Sequence, residues 1–220
     1  MTMNLGELVG TFILIFGGLG SGFLFPKSSR WLVGLFWGVS ILIGSVAGSA
    51  LGSADMNIVF SLSSFLQGQL SLGELGSRFC GQVVGSLLAV SALTFLFRQQ
   101  APFALNKFAA VASQPQKRKN FGWEFVGTLA MMIAVALIHL ESTTSLLQNI
   151  QVSLFIAFLI GCLAPITGAS FNPIRDFIPR IFYCRHCHQE QEFGRSLCSS
   201  NLAPLCAGLV GSQFIPLLLN

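Results

Sequence analysis

Ala54-Asp55-Met56-Asn57-Ile58-Val59 and Ser170-Phe171-Asn172-Pro173-Ile174-Arg175-Asp176 each place an asparagine after two long apolar runs. Flanking landmarks repeat with them. Glu7-Leu8-Val9-Gly10-Thr11 opens the first apolar run and Glu124-Phe125-Val126-Gly127-Thr128 a later one, an offset of 117 (124 minus 7). The two asparagines are offset by 115 (172 minus 57). Gly81-Gln82-Val83-Val84-Gly85-Ser86 and Ala207-Gly208-Leu209-Val210-Gly211-Ser212 are offset by 126 (207 minus 81). Three landmarks in one order at nearly one period predict an internal repeat: repeat one over about 1–98 and repeat two over about 121–220, joined by the polar segment 99–120 within a single domain, 1–220.

Composition sets the solvent. Of 220 residues 53% are hydrophobic and only 9% charged, with a mean hydropathy of +0.72. A helix crosses a bilayer with roughly 20 mainly apolar residues. Six such runs are present, at about 5–25, 31–52, 76–97, 121–140, 146–164 and 202–219. After Asn57 and after Asn172 only about 10 apolar residues remain, half a span. Backbone that stops at membrane depth must be buried in protein or line a polar cavity, so two half-spans predict a cavity at the repeat interface, where such folds place their solute path. The expected fold is an all-α membrane protein of six transmembrane helices plus two half-helices in an inverted repeat, and the expected function is that of a channel.

The first span is too long for a signal peptide and lacks a small-residue cleavage site, so it reads as a retained helix. Glycines at Gly34/Gly38, Gly44/Gly48/Gly52 and Gly81/Gly85 follow the small-xxx-small spacing of close helix packing. The formal charge of +4 carries no nucleic-acid signature. There is no nucleophile with a base, no phosphate loop and no pair of catalytic carboxylates, so neither an enzyme nor a cofactor is expected.

If each asparagine caps a half-helix whose amino end points to the bilayer centre, two sets of unpaired N–H groups and two positive dipole ends meet there. Asparagine is a favoured N-cap, and proline fits the first helical position because its missing N–H costs nothing. Asn172-Pro173 has this form. The amide NH₂ groups would face passing hydroxyl or water oxygens, while the positive field opposes cations.

These residues resemble the major intrinsic protein (aquaporin) family, and within it the glycerol facilitator branch. The resemblance follows element order over nearly the whole chain and is strongest at Thr167–Arg180. Family members carry Asn-Pro-Ala-Arg at the second site. Asp176, after the arginine, and Arg180, after Pro179, match the choices of glycerol-passing members. The resemblance implies a selectivity constriction at Trp37, Gly161, Ala169 and Arg175, with Ile160 the alternative to Gly161 if no gap is allowed. Ala169 stands where glycerol channels have a bulky aromatic, which predicts a wider constriction. Glu7 and Glu124 resemble family glutamates that hold the pore-lining loops through backbone N–H groups. The resemblance further implies a homotetramer in a lipid bilayer, in a bacterial inner membrane or plasma membrane, passing glycerol first and water second.

The first motif departs from the family. Ile58 and Val59 replace Pro-Ala, which adds bulk near the pore centre. At the second site Ile174 takes the place of alanine. Asp55 stands where glycerol channels have histidine, and its charge predicts weakened exclusion of cations. Two alternatives follow: a non-conducting member plugged by Ile58 and Val59, with a structural role, or a weakly selective pore for ammonia or ions, motivated by Asp55 and Ala169.

Cys184-Arg185-His186-Cys187-His188 matches a haem-attachment spacing and, with Cys198, offers zinc ligands. The short segment between half-helix and last span leaves no room for a haem pocket, and an ordinary or disulfide-bearing loop is preferred. Cys80, Cys162 and Cys206 read as buried packing residues. His139 ends a span without an identifiable partner.

Orientation is contested. On the family layout the face bearing the termini has only Arg78. The opposite face has Lys27, Arg30, Arg98, Lys107, Lys117, Arg118, Lys119, Arg180, Arg185 and Arg195, ten of the 12 basic residues, with Arg175 in the pore. The positive-inside rule favours the inverse of that layout.

Overall fold

In the computed structural model, residues 3–140 and 144–219 are described. The helices are α1 (Leu5–Leu24), α2 (Arg30–Ser49), α3 (Ile58–Leu66), α4 (Leu72–Leu96), α5 (Lys117–Leu140), α6 (Ser145–Thr167), α7 (Pro173–His186) and α8 (Ala203–Leu219). Five of them, α1, α2, α4, α5 and α6, have 20 to 25 residues and are apolar enough to cross a membrane. The sixth long helix, α8, has 17 residues and continues a π-helical turn, Cys198–Leu202, which brings it to span length. The two short helices between them are α3, of 9 residues, and α7, of 14.

Local chemistry fixes the starts. Asn4, Ser29 and Thr144 cap α1, α2 and α6 by accepting from backbone N–H groups, and Ser71 with Glu74 forms a capping box at α4. Gly168 ends α6 at φ 92°, where an added Cβ would meet Val111 N at 2.6 Å. Only glycine suits that conformation and that space.

Packing reveals the repeat. α1 lies against α2 and α4, and α5 correspondingly against α6 and α8. α2 meets α6 across the repeat boundary, and each half-helix packs on the closing helix of the other repeat, α3 on α8 and α7 on α4. Because each half contains three spans, an odd number, the second half enters from the opposite side and the repeat is inverted. Glycines permit the approach: a Cβ at Gly44 would meet Gly10 O at 2.8 Å, one at Gly38 would meet Ser153 O at 2.9 Å, and one at Gly81 would meet Glu7 Cβ at 2.9 Å. Gly52 falls outside this packing, since α2 ends at Ser49 and Gly52 turns the chain at φ 144°.

The segment 99–120 is more than a polar tether. Leu105, Phe108, Ala109 and Ala110 are buried, and Phe108 meets Phe23 and Phe103 edge-on at 5.7 Å. Half-buried Lys107 donates to Gly22 O, and loss of water lowers its ammonium pKa. Lys117-Arg118-Lys119 opens α5 as an exposed charge run. The cysteines are free; Cys80 and Cys206 are exposed on α4 and α8 rather than buried.

Candidate functional site

The two asparagine loops are built alike. Asn57 caps α3 through Val59 N–H at 3.0 Å, and Asn172 caps α7 through Ile174 N–H at 3.0 Å. Behind each cap a buried carboxylate gathers the loop: Glu7 accepts from Asp55 N and Met56 N at 2.7 and 2.8 Å. Glu124 accepts from Ser170 N and Phe171 N at 2.9 and 3.1 Å. Satisfying two inward-pointing donors with one carboxylate makes a sharp reversal tolerable inside the membrane. The residue before each asparagine is left-handed, Met56 at φ 51° and Phe171 at φ 52°. A glycine on the opening helix makes room for each: a Cβ at Gly10 would meet Met56 Cγ at 2.9 Å, and one at Gly127 would meet Phe171 Cε1 at 2.5 Å.

The loops are also cross-linked. Asn57 Nδ2 donates to Phe171 O and Asn172 Nδ2 to Met56 O. An amide nitrogen carries two N–H groups, so each asparagine keeps one donor beyond this contact.

A cavity of about 380 Å³ runs past these amides at the repeat interface. Met56, Asn57, Phe171 and Asn172 line its middle, and Trp37, Ile160, Ala169 and Arg175 line it near the second loop. Ser49 and His139, exposed at the ends of α2 and α5, and Asn149 near the start of α6 also line it, and with Ser45, Asp55 and Ser64 they make a polar mouth at the end away from Trp37. Buried Arg175 stacks on Trp37, with its guanidinium carbon 4.5 Å from the ring centroid. Among the described residues its Nη1 has no hydrogen-bond partner. A desolvated cation with unspent donors beside an aromatic wall is arranged to meet a polar oxygen on one side of a solute and its carbon skeleton on the other.

With two capped half-helices meeting in one cavity, the sequence profile of the Major intrinsic protein family matches residues 1–217. The chain belongs to that family. It is 29% identical over 231 residues to "Glycerol uptake facilitator protein 3" of Lactiplantibacillus plantarum, covering 98% of this chain and 95% of the relative. It is 27% identical over 194 residues to the "Glycerol uptake facilitator protein" of Bacillus subtilis, covering 82% and 71%. The aquaglyceroporin of Plasmodium falciparum shares the fold, with a TM-score of 0.82 over 97% of this chain and 96% of that one, at 19% identity. As a major intrinsic protein the chain is a multi-pass membrane protein and not an enzyme.

Several expected site residues are placed differently by the structure. Gly161 does not line the cavity of this family member: it packs against the Trp31 ring, where a side chain would collide, and Ile160 takes the lining position. The α2–α6 contact needs a small residue at 161, which turns 160 inward. Ile58 and Val59 are likewise absent from the wall. Val59 is fully buried with Met132 and Ile215 and faces Gly208 on α8, so the altered first motif adds bulk to the bundle and not to the path.

Asp55 does line the cavity, but its charge is paired: Arg78 Nη1 and Ser61 Oγ both reach Oδ2 at 2.6 Å. Asp176 turns away from the path and, with no exposure, holds equally buried Arg180 through Nε at 2.9 Å and Nη2 at 3.0 Å. It also accepts from Ala110 N at 2.6 Å, while Arg180 donates to Ala110 O and Arg195 O at 3.0 and 2.5 Å. Asp176 and Arg180 thus clamp segment 105–113 and the loop after α7 onto the half-helix. Arg180 is not a surface cation.

Pro173 starts α7 and Ile174 is buried behind it. Cys184, expected in a loop, lies buried in the last turn of this longer half-helix, and Cys187 caps it. Burial raises the Cys187 thiol pKa, with Cys184 beside it adding to the effect, so it is a poor thiolate.

The residues missed by sequence reasoning are Arg78, Ser61, Gln82, Gly10 and Gly127. Gln82 Nε2 joins Glu7 Oε2 at 3.0 Å to Ser61 Oγ at 3.1 Å. Gly10, Gly127 and Gln82 lay within the repeated landmarks, and Arg78 was the lone basic residue of its face.

Proposed function

We propose that the chain is a passive, bidirectional channel for small uncharged solutes, glycerol first and water second, driven by their gradients alone. The observation that carries this reading is one cavity lined by both asparagine amides, the Arg175 guanidinium and the Trp37 ring. Donors fixed in advance replace the water that a hydroxylated solute leaves behind, and the apolar wall accepts its carbon edge. The curated relatives named as glycerol uptake facilitators support the choice of solute. The constriction is assigned to Trp37, Ile160, Ala169 and Arg175, and a homotetramer in the bilayer is proposed from family likeness.

The non-conducting alternative loses its motive, because the residues invoked as a plug are not in the wall. Stopped-flow light scattering on proteoliposomes, comparing glycerol, urea and water with empty vesicles, tests the proposal. Glycerol permeability well above background is expected. Equal rates from loaded and empty vesicles for every neutral solute would overturn it.

A further inference from the structure

We propose that Arg78 is a specificity-determining residue: by pairing Asp55 it keeps the polar mouth of the pore neutral, and so lets the channel reject cations despite a carboxylate in its wall. The proposal rests on the reading of the chain as a neutral-solute channel.

The carboxylate is on the path. Asp55 lines the cavity two residues before Asn57, on the loop that opens α3, whereas Arg175 lines it from α7. Among the described residues its Oδ1 has no hydrogen-bond partner, while Oδ2 takes both Arg78 and Ser61. The side chains of Asp55 and Arg78 are each only 20% exposed, so bulk water and salt screen the charge incompletely. Left alone, this charge would oppose the positive field of the half-helix ends and offer a cation a binding station at the mouth.

The placement of Arg78 is built, not incidental. It comes from α4, a different element from the loop it serves, and meets Asp55 at 2.6 Å. Ser61 is held by Gln82, which is held by Glu7, so the carboxylate is oriented by a continuous chain of hydrogen bonds. Glu7 adds a second acidic side chain behind the same loop, and among the described residues Arg78 is the basic side chain that forms an ion pair with Asp55, while His139 also lines this end of the cavity. The second repeat shows the contrast: Asp176 and Arg180 also pair, but both are fully buried and off the cavity wall. Of the two acid–arginine pairs beside the asparagine loops, only Asp55–Arg78 can bear on what passes.

The test uses the full chain in proteoliposomes, with glycerol flux by light scattering and cation leak by a trapped potassium-sensitive dye on the same vesicles. Arg78→Gln is expected to raise the ratio of leak to glycerol flux at least tenfold. Arg78→Lys, which keeps the charge, should stay near the unmodified ratio, and Asp55→Asn/Arg78→Gln should return to it. Should Arg78→Gln not reconstitute, Arg78→Met keeps the aliphatic stem and serves in its place. A background leak in whichever neutral variant conducts glycerol overturns the proposal, as does a leak that persists in the double variant. Absence of glycerol flux in the unmodified protein would instead overturn the channel reading.

Discussion

Asn172 donates its side-chain amide to the Met56 carbonyl at 2.6 Å, reaching from the cap of the second half-helix into the loop that opens the first. Asn57 returns the contact to Phe171 O at 3.0 Å. Each asparagine therefore holds its own half-helix with oxygen and the opposing loop with nitrogen, and neither half can be positioned alone. Asn172→Ala should lose most of the glycerol flux, and with it a cap worth about 0.5 to 2 kcal/mol. Glycerol flux in vesicles and thermal unfolding in detergent check this; an unchanged flux would show that the amides do not face the path.

The glycines behind the loops give a sharper test of geometry. Gly127→Ala would place a Cβ 2.5 Å from Phe171 Cε1 and 2.7 Å from Leu163 Cδ1. Phe171 must then move toward the cavity it lines, and flux should fall several-fold. Gly22→Ala is the control, because its Cβ would meet nothing within 4 Å. There the helix gains about 1 kcal/mol of intrinsic propensity, and flux should stay unchanged. Equal effects of the two substitutions would sink the account.

At the proposed constriction, small Ala169 shares the cavity wall with bulky Ile160. We expect Ile160 on α6 to offset part of the width that Ala169 alone predicts. Ala169→Phe should cut passage of larger polyols more than water, with an added cost of about 1 kcal/mol for a bulky residue held at positive φ. Ile160→Gly in that background should restore polyol passage. Swelling assays over a series of polyols decide this, and a uniform loss for every solute would mean that the two residues do not share the wall.

Membrane orientation can be read from cations once the paired and buried ones are known. On the face bearing the termini, Arg78 is committed to Asp55. On the other face Lys27, Arg30, Arg98, Lys117, Arg118, Lys119 and Arg185 are exposed, and exposed Arg195 pairs with Glu192. The positive-inside rule then predicts that the termini face away from the cytoplasm, and a pseudo-two-fold passive pore works either way up. Lys117→Cys, with the native cysteines replaced, should resist a membrane-impermeant thiol reagent in intact cells; strong labelling from outside would refute the inversion.

The sequence by itself determined the architecture: the span lengths, the repeated Glu-x-x-Gly-Thr and asparagine landmarks, and the half-spans that force a cavity. These are local signals, because hydropathy and capping act over a few neighbouring residues. Gly34, Gly38, Gly81 and Gly85 were legible for the same reason. What only the tertiary structure decided is which face each residue presents. Gly161 and Ile160 are adjacent, and the close α2–α6 packing sends one to the helix contact and the other to the path. Val59 was legible as bulk beside the pore, yet its direction depends on Gly208, about 150 residues away in the chain. The Asp55 charge was legible and its neutralisation was not, since Arg78 reaches it from another helix. Steric direction and ion pairing between distant segments are properties of the folded bundle, and no local pattern encodes them.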